Sequence, residues 1–104
     1  MNPNVRVPLR WLSKEVLNEG KYSHESDVYA FGVTLWEIYT YARRPFQSAT
    51  DAEVISLIQD ETSLEIPEYC PPVVYGMMLE CFKPVPSRRP TFSEMRLRFQ
   101  VRIF

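Results

Sequence analysis

Apolar positions recur at helical spacing through most of this chain, and the exceptions mark its joints. Pro3 and Pro8 block an early helix, and Val5, Val7 and Leu9 alternate with polar neighbours, so residues 1–12 read as an extended arm. Ser13 is placed to N-cap a short helix through Leu17 that ends near Gly20. Residues 21–25 read as a polar connection. A longer helix is expected from Ser26 to Tyr39, carrying Val28, Tyr29, Ala30, Phe31, Val33, Leu35, Trp36, Ile38 and Tyr39. It is apolar on nearly every face, so neighbouring elements must enclose it. Its length through Glu37 favours a helix over a strand.

Arg43-Arg44-Pro45 terminates that element. Thr50-Asp51-Ala52-Glu53 is a capping box, and Val54, Ile55, Leu57 and Ile58 behind it form one apolar stripe. Asp51 and Glu53 fall in the first turn, where the helix dipole favours carboxylates. Residues 60–72 read as a loop with a short extended piece, Leu64 to Pro67. Pro71 and Pro72 suit the start of a third helix, Val73 to Phe82, with Val74, Met77, Met78, Cys81 and Phe82 on its apolar side. Thr91-Phe92-Ser93-Glu94 is a second capping box before a last helix carrying Phe92, Met95 and Phe99. Beyond it Leu97, Phe99, Val101 and Ile103 alternate with polar residues, a pattern that fits a strand, a frayed end or a helix equally.

Composition then narrows the chemistry. The 12 basic and 13 acidic residues among 104 nearly cancel, so no global field draws in nucleic acid or an anionic membrane. The basic set Lys83, Arg88, Arg89, Arg96, Arg98 and Arg102 is the one charge asymmetry; apart from Arg89 it reads as a solvated face, with a patch for an anionic partner as the alternative that the acidic half of the chain opposes. Gly20, Gly32 and Gly76 are too scattered to cradle a phosphate. His24, Cys70 and Cys81 cannot assemble a Cys/His zinc site at the usual spacing, and the two thiols are expected to be free. The polar start offers no signal-peptide core, and the longest apolar run, Val28 to Trp36, is too short to span a bilayer. Ser23, Ser26 and Thr50 are read as helix caps, because no histidine is spaced to activate them as nucleophiles.

The order of the segments resembles the C-terminal part of a protein tyrosine kinase domain. Val7-Pro8-Leu9-Arg10-Trp11 resembles the loop that receives the substrate residue following the target tyrosine. Glu15 resembles the end of the family's Ala-Pro-Glu motif, with Ser13-Lys14 replacing its first two residues. The run from Ser26 to Val33 resembles the opening of the central buried helix. Pro45-Phe46, Ile66-Pro67, Cys70-Pro71 and Cys81-Phe82 match further landmarks, and Pro86 to Phe92 matches the closing Arg-Pro-Thr-Phe signature. The Pro-x-Arg-Trp form of the loop points to the tyrosine branch.

The resemblance implies an all-α subdomain, the lower large lobe of a kinase packed around one buried central helix, with residues 1–104 as a partial domain. It implies that residues 7–11 floor the substrate site, and that Glu15 and Arg89 form a buried structural ion pair. Asp27 resembles the aspartate that bonds the backbone of the catalytic loop, and Tyr29 and Phe82 stand where the family usually has Trp. Asp27, Tyr29, Gly32 and Trp36 are the scaffold positions of the central helix.

Phosphoryl transfer needs a Gly-rich loop, a strand lysine, magnesium-binding aspartates and a catalytic aspartate. No residue here is a candidate for these roles: His24 is followed by Glu25-Ser26, and there is no Asp-Phe-Gly. Catalytic, cofactor-binding and metal-binding residues are therefore expected to be none in this chain, and ATP with magnesium would require an upstream part. The implied partners are a protein or peptide substrate, or the other half of the kinase domain. The implied setting is the cytoplasm, or the cytoplasmic part of a receptor. A stand-alone helical interaction module without catalysis is the alternative.

Overall fold

The computed structural model describes the backbone of residues 8–103 and the side chains of residues 8–98. Five helices follow one another: α1 (Lys14–Glu19), α2 (His24–Tyr39), α3 (Asp51–Gln59), α4 (Pro72–Cys81) and α5 (Phe92–Ile103). Short 3-10 turns stand at Leu9–Trp11 and Pro86–Arg88. The described residues contain no strand, and the fold is all-α.

Local chemistry fixes the ends. Gly20 closes α1 in the left-handed conformation, φ 70°, and its N–H donates to the Val16 carbonyl. At the start of α2 the Ser23 hydroxyl accepts from the Ser26 N–H, while the Ser26 hydroxyl accepts from the Ser23 N–H. This reciprocal box starts the helix at His24, two residues earlier than the apolar pattern indicates. Thr50 and Glu53 form the same box at α3, as expected. Pro72 occupies the first turn of α4, where its missing N–H costs nothing. The alternating tail resolves as helix to Ile103.

Of the arm expected over residues 1–12, residues 1–7 lie outside the described residues; at Leu9–Trp11 the chain is not extended but coils into a 3-10 turn, and Arg10 is buried. Burying that guanidinium requires partners for its donors.

α2 is the central rod and packs most extensively on α4. Val28 joins Met77, Cys81 and Met95 in one core cluster, flanked by Phe31 and Phe82. Trp36 joins Val74 and Met78 in a second, with Leu35, Tyr39, Leu64 and Tyr75 around it. Val16, Val54 and Ile58 fill the space between α1 and α3. Gly32 is what allows the α2–α4 approach, since a Cβ there would lie 2.6 Å from the Cys81 Cβ and 2.8 Å from the Phe82 ring. The enclosure is incomplete: Asp27 and Thr34 are exposed, and Ile38 keeps 61% of its surface in solvent. Asp27, Thr34 and Ile38 share that open edge.

Candidate functional site

The Leu9–Trp11 turn is held by Arg10, whose side chain is 4% exposed. Its Nη1 donates to the carbonyls of Pro45 (2.9 Å) and Phe46 (2.7 Å). Its Nη2 donates to the Ala49 carbonyl (2.8 Å) and the Asp51 carboxylate (3.2 Å). A planar guanidinium meets several acceptors at once, which a lysine ammonium would not match. One side chain thus bolts the turn to the loop before α3. Phe46 sits at φ 53°, a costly conformation for a residue with a Cβ, and the grip on its own carbonyl helps hold it there. Around this anchor Pro8 is exposed, and Leu9 and Trp11 are half-buried. Sequence reasoning missed the anchor; its one trace was an arginine between Leu9 and Trp11, two residues that seek burial.

Glu15 and Arg89 do meet. Arg89 Nη1 and Nη2 reach the two carboxylate oxygens at 2.7 and 3.0 Å, a bidentate pair across 74 residues of sequence. The Arg89 side chain is 1% exposed and that of Glu15 is 22% exposed. Arg89 also donates from Nε to the Lys83 carbonyl at 2.9 Å and from Nη1 to the Glu25 carbonyl at 3.0 Å. It therefore ties α1, the first turn of α2 and the segment after α4 at one point. Burial alone would push the Glu15 carboxyl up, but the guanidinium and local hydrogen bonds outweigh it and hold its pKa below the ordinary carboxylate value. Ser13, replacing the first residue of the motif, is the N-cap of α1, and Lys14 Nζ lies 3.2 Å from Glu61.

The other scaffold positions separate by burial. Tyr29 stacks at a tilt on Phe82, centroids 5.4 Å apart, so the two positions that depart from tryptophan touch each other. The Arg89 guanidinium lies 5.3 Å from the Tyr29 ring centroid. Burial pushes the Tyr29 phenol up. Trp36 is 3% exposed, and its indole Nε1 donates to the Glu65 carbonyl at 2.7 Å. Asp27 faces solvent, and no hydrogen bond to its carboxylate joins it to the residues above. His24 is exposed at the first position of α2.

Cys70 and Cys81 are both free thiols, as expected. Burial pushes the Cys81 thiol up to about 12, and its sulfur packs 3.6 Å from that of Met95. Arg98, from the basic set, pairs with Glu80. Among the described residues no group of three or more His, Cys, Asp or Glu is placed to hold a metal ion, and no helix is long and apolar enough to cross a membrane. The arrangement offers positioning surfaces and structural ties.

Comparison with known proteins agrees with this architecture. The family described as protein tyrosine and serine/threonine kinase matches residues 1–99. The chain is 43% identical over 94 residues to the tyrosine-protein kinase transmembrane receptor Ror of Drosophila melanogaster, covering 90% of this chain and 14% of that protein. It is 36% identical over 96 residues to the tyrosine-protein kinase FRK of Homo sapiens, covering 92% and 19%. The inactive tyrosine-protein kinase 7 of Mus musculus is 44% identical over 90 residues, covering 86% and 8%. The chain thus spans less than a fifth of the length of each of these relatives. Matched over nearly its whole length, and folded into helices packed around α2, this chain belongs to the protein tyrosine and serine/threonine kinase family.

Proposed function

We propose that this chain is the substrate-side and scaffolding part of a tyrosine kinase domain, and that it does not transfer phosphate by itself. In this reading Val7, Pro8, Leu9, Arg10 and Trp11 floor the site for the acceptor tyrosine and the residue after it. Glu15 with Arg89, and Tyr29, Gly32 and Trp36 on α2, hold that floor in place, and exposed Asp27 at the start of α2 is left to face the complementary half of the domain. The carrying observation is the four-point grip of Arg10 on the 45–51 segment, which makes the turn a preformed surface. ATP, magnesium and the catalytic aspartate belong to residues outside this sequence. The working partners are a tyrosine-bearing protein and the complementary half of the domain, in the cytoplasm or on the inner side of a receptor.

Titration of the isotopically labelled chain with a tyrosine peptide carrying an aliphatic residue after the tyrosine tests this by NMR. Shifts centred on residues 8–12 support the reading. Shifts centred elsewhere, or none with the chain folded, refute it. ATP with magnesium should leave the melting temperature unchanged, because a ligand that binds the native state raises it. An upward shift at millimolar ATP would overturn the claim of inactivity.

A second reading is a non-catalytic interaction module. The similarity to a relative named as inactive favours it. A cooperative monomer in sedimentation and thermal unfolding supports the module, whereas molten behaviour of the isolated chain supports the partial domain.

A further inference from the structure

The loops that follow α2 and α3 enclose a groove of about 720 Å³. That is within the range of roughly 300–1,000 Å³ typical of built binding pockets. Trp36, Phe46, Leu57 and Leu64 supply its apolar lining, and Arg43 and Arg44 also line it. The Arg43 guanidinium lies 6.0 Å from the Trp36 ring centroid and has no carboxylate partner among the described residues. Arg44 approaches only Asp51, at 4.0 Å, and that oxygen is already held by Arg10 at 3.2 Å. Glu65 also lines the groove, but among the described residues no salt bridge joins its carboxylate to Arg43 or Arg44. The groove therefore joins two guanidiniums with spare donors to an apolar strip.

The wall formed by the loop after α2 is braced by Arg10. Tyr41, Ala42, Phe46 and Glu61 have φ between 53° and 66°, and all four lie in these two loops. Left-handed backbone is unfavourable at residues bearing a Cβ, and of these four Phe46 lines the groove. Arg10 holds that segment through the carbonyls of Pro45, Phe46 and Ala49. A wall already ordered loses little entropy on binding.

We propose that this groove docks an acidic segment of a partner protein. One aromatic or aliphatic side chain of that segment packs on the Trp36–Leu64 strip, and its carboxylates meet the forks of Arg43 and Arg44. A bare phosphate would leave the apolar strip unused, and an apolar peptide would leave both guanidiniums unpaired. The docking needs no ATP, and its contacts do not include the Leu9–Trp11 turn, whose Arg10 only braces the groove wall.

The test is fluorescence anisotropy of a labelled Glu-Glu-Phe-Glu-Glu peptide titrated with the 104-residue chain, after circular dichroism has shown it helical. Saturable binding is expected, weakening with salt. Replacing every Glu of the peptide by Gln, or Phe by Gly, should weaken it by about tenfold or more, equivalent to ~1.4 kcal/mol. The Arg43→Ser/Arg44→Ser double variant should lose as much; both residues are exposed, so its melting temperature should stay that of the parent. If the double variant unfolds, the Gln peptide against the unaltered chain decides the question. Equal affinity for the Glu and Gln peptides, equal affinity of the folded double variant, or no saturation at millimolar peptide each overturns the proposal.

Discussion

Two glycines inside helices should respond to alanine in opposite directions. Gly32 lies in α2 and Gly76 in α4, and a mid-helix Gly→Ala change by itself gains roughly 1 kcal/mol of helix propensity. At Gly76 a new Cβ would meet nothing within 4 Å, so Gly76→Ala should stabilise by about 0.5–1 kcal/mol. At Gly32 it would meet the Cys81 Cβ at 2.6 Å, where carbon pairs prefer ~3.5–4.0 Å. Relief requires α4 to retreat by about an ångström. That loosens the cluster of Val28, Met77, Cys81 and Met95, in which Cys81 is fully buried. Overpacking of this kind costs ~1–3 kcal/mol and outweighs the propensity gain, so Gly32→Ala should destabilise by about 1 kcal/mol net. Urea unfolding followed by circular dichroism measures both changes. The clashing atom is a Cβ, so Cys81→Ala should not relieve Gly32→Ala, whereas Cys81→Gly should couple favourably with it in a double-mutant cycle. If both alanine variants shift stability in the same direction, close α2–α4 packing is not what Gly32 provides.

Glu15→Ala should cost about 3 kcal/mol by leaving Arg89 buried and under-paired, and the Glu15→Ala/Arg89→Ala cycle should be non-additive; independent effects would mean the pair does not act as a unit. Because the Glu15 pKa is lowered in the fold from an ordinary 4.5, its contribution is complete above that pH and is lost as pH falls through the lower folded value. The stability gap between the parent chain and Glu15→Gln should therefore close on acidification, and a gap that widens would contradict the pairing. Trp36→Ala should cost ~3–5 kcal/mol and Trp36→Phe about 1 kcal/mol for the lost bond to Glu65, both read by thermal unfolding. Cys81, with its thiol at about 12, should resist alkylation in the folded chain and react on unfolding; mass spectrometry showing modification under native conditions would place it at the surface.

The helices were legible because their signals are local. Gly20, the Thr50–Glu53 box and Pro72 each act within a few residues and sit where their chemistry requires, whereas Ser13 holds the N-cap position of α1 without a side-chain capping bond. The start of α2 was read two residues late because the hydrophobic pattern begins at Val28, while the cap that fixes the helix is a pair of serines. The Glu15–Arg89 tie could be inferred only through the resemblance, since nothing local links residues 74 positions apart. The burial of Arg10 is not legible in the sequence because its partners are carbonyls of Pro45, Phe46 and Ala49, and a carbonyl's position leaves no mark there.

By itself, the order of side chains determined the helical class, the limits of the first four helices to within about two residues, the central apolar rod and the family kinship, but not the end of α5. Periodicity, capping and motif order are properties of neighbours along the chain. Only the tertiary structure decided that Gly32 lets two helices touch, that the rod keeps an open edge at Ile38, and that Arg43, Arg44 and Trp36 share one groove. Those facts depend on distances between residues far apart in sequence, and packing of the whole chain sets such distances.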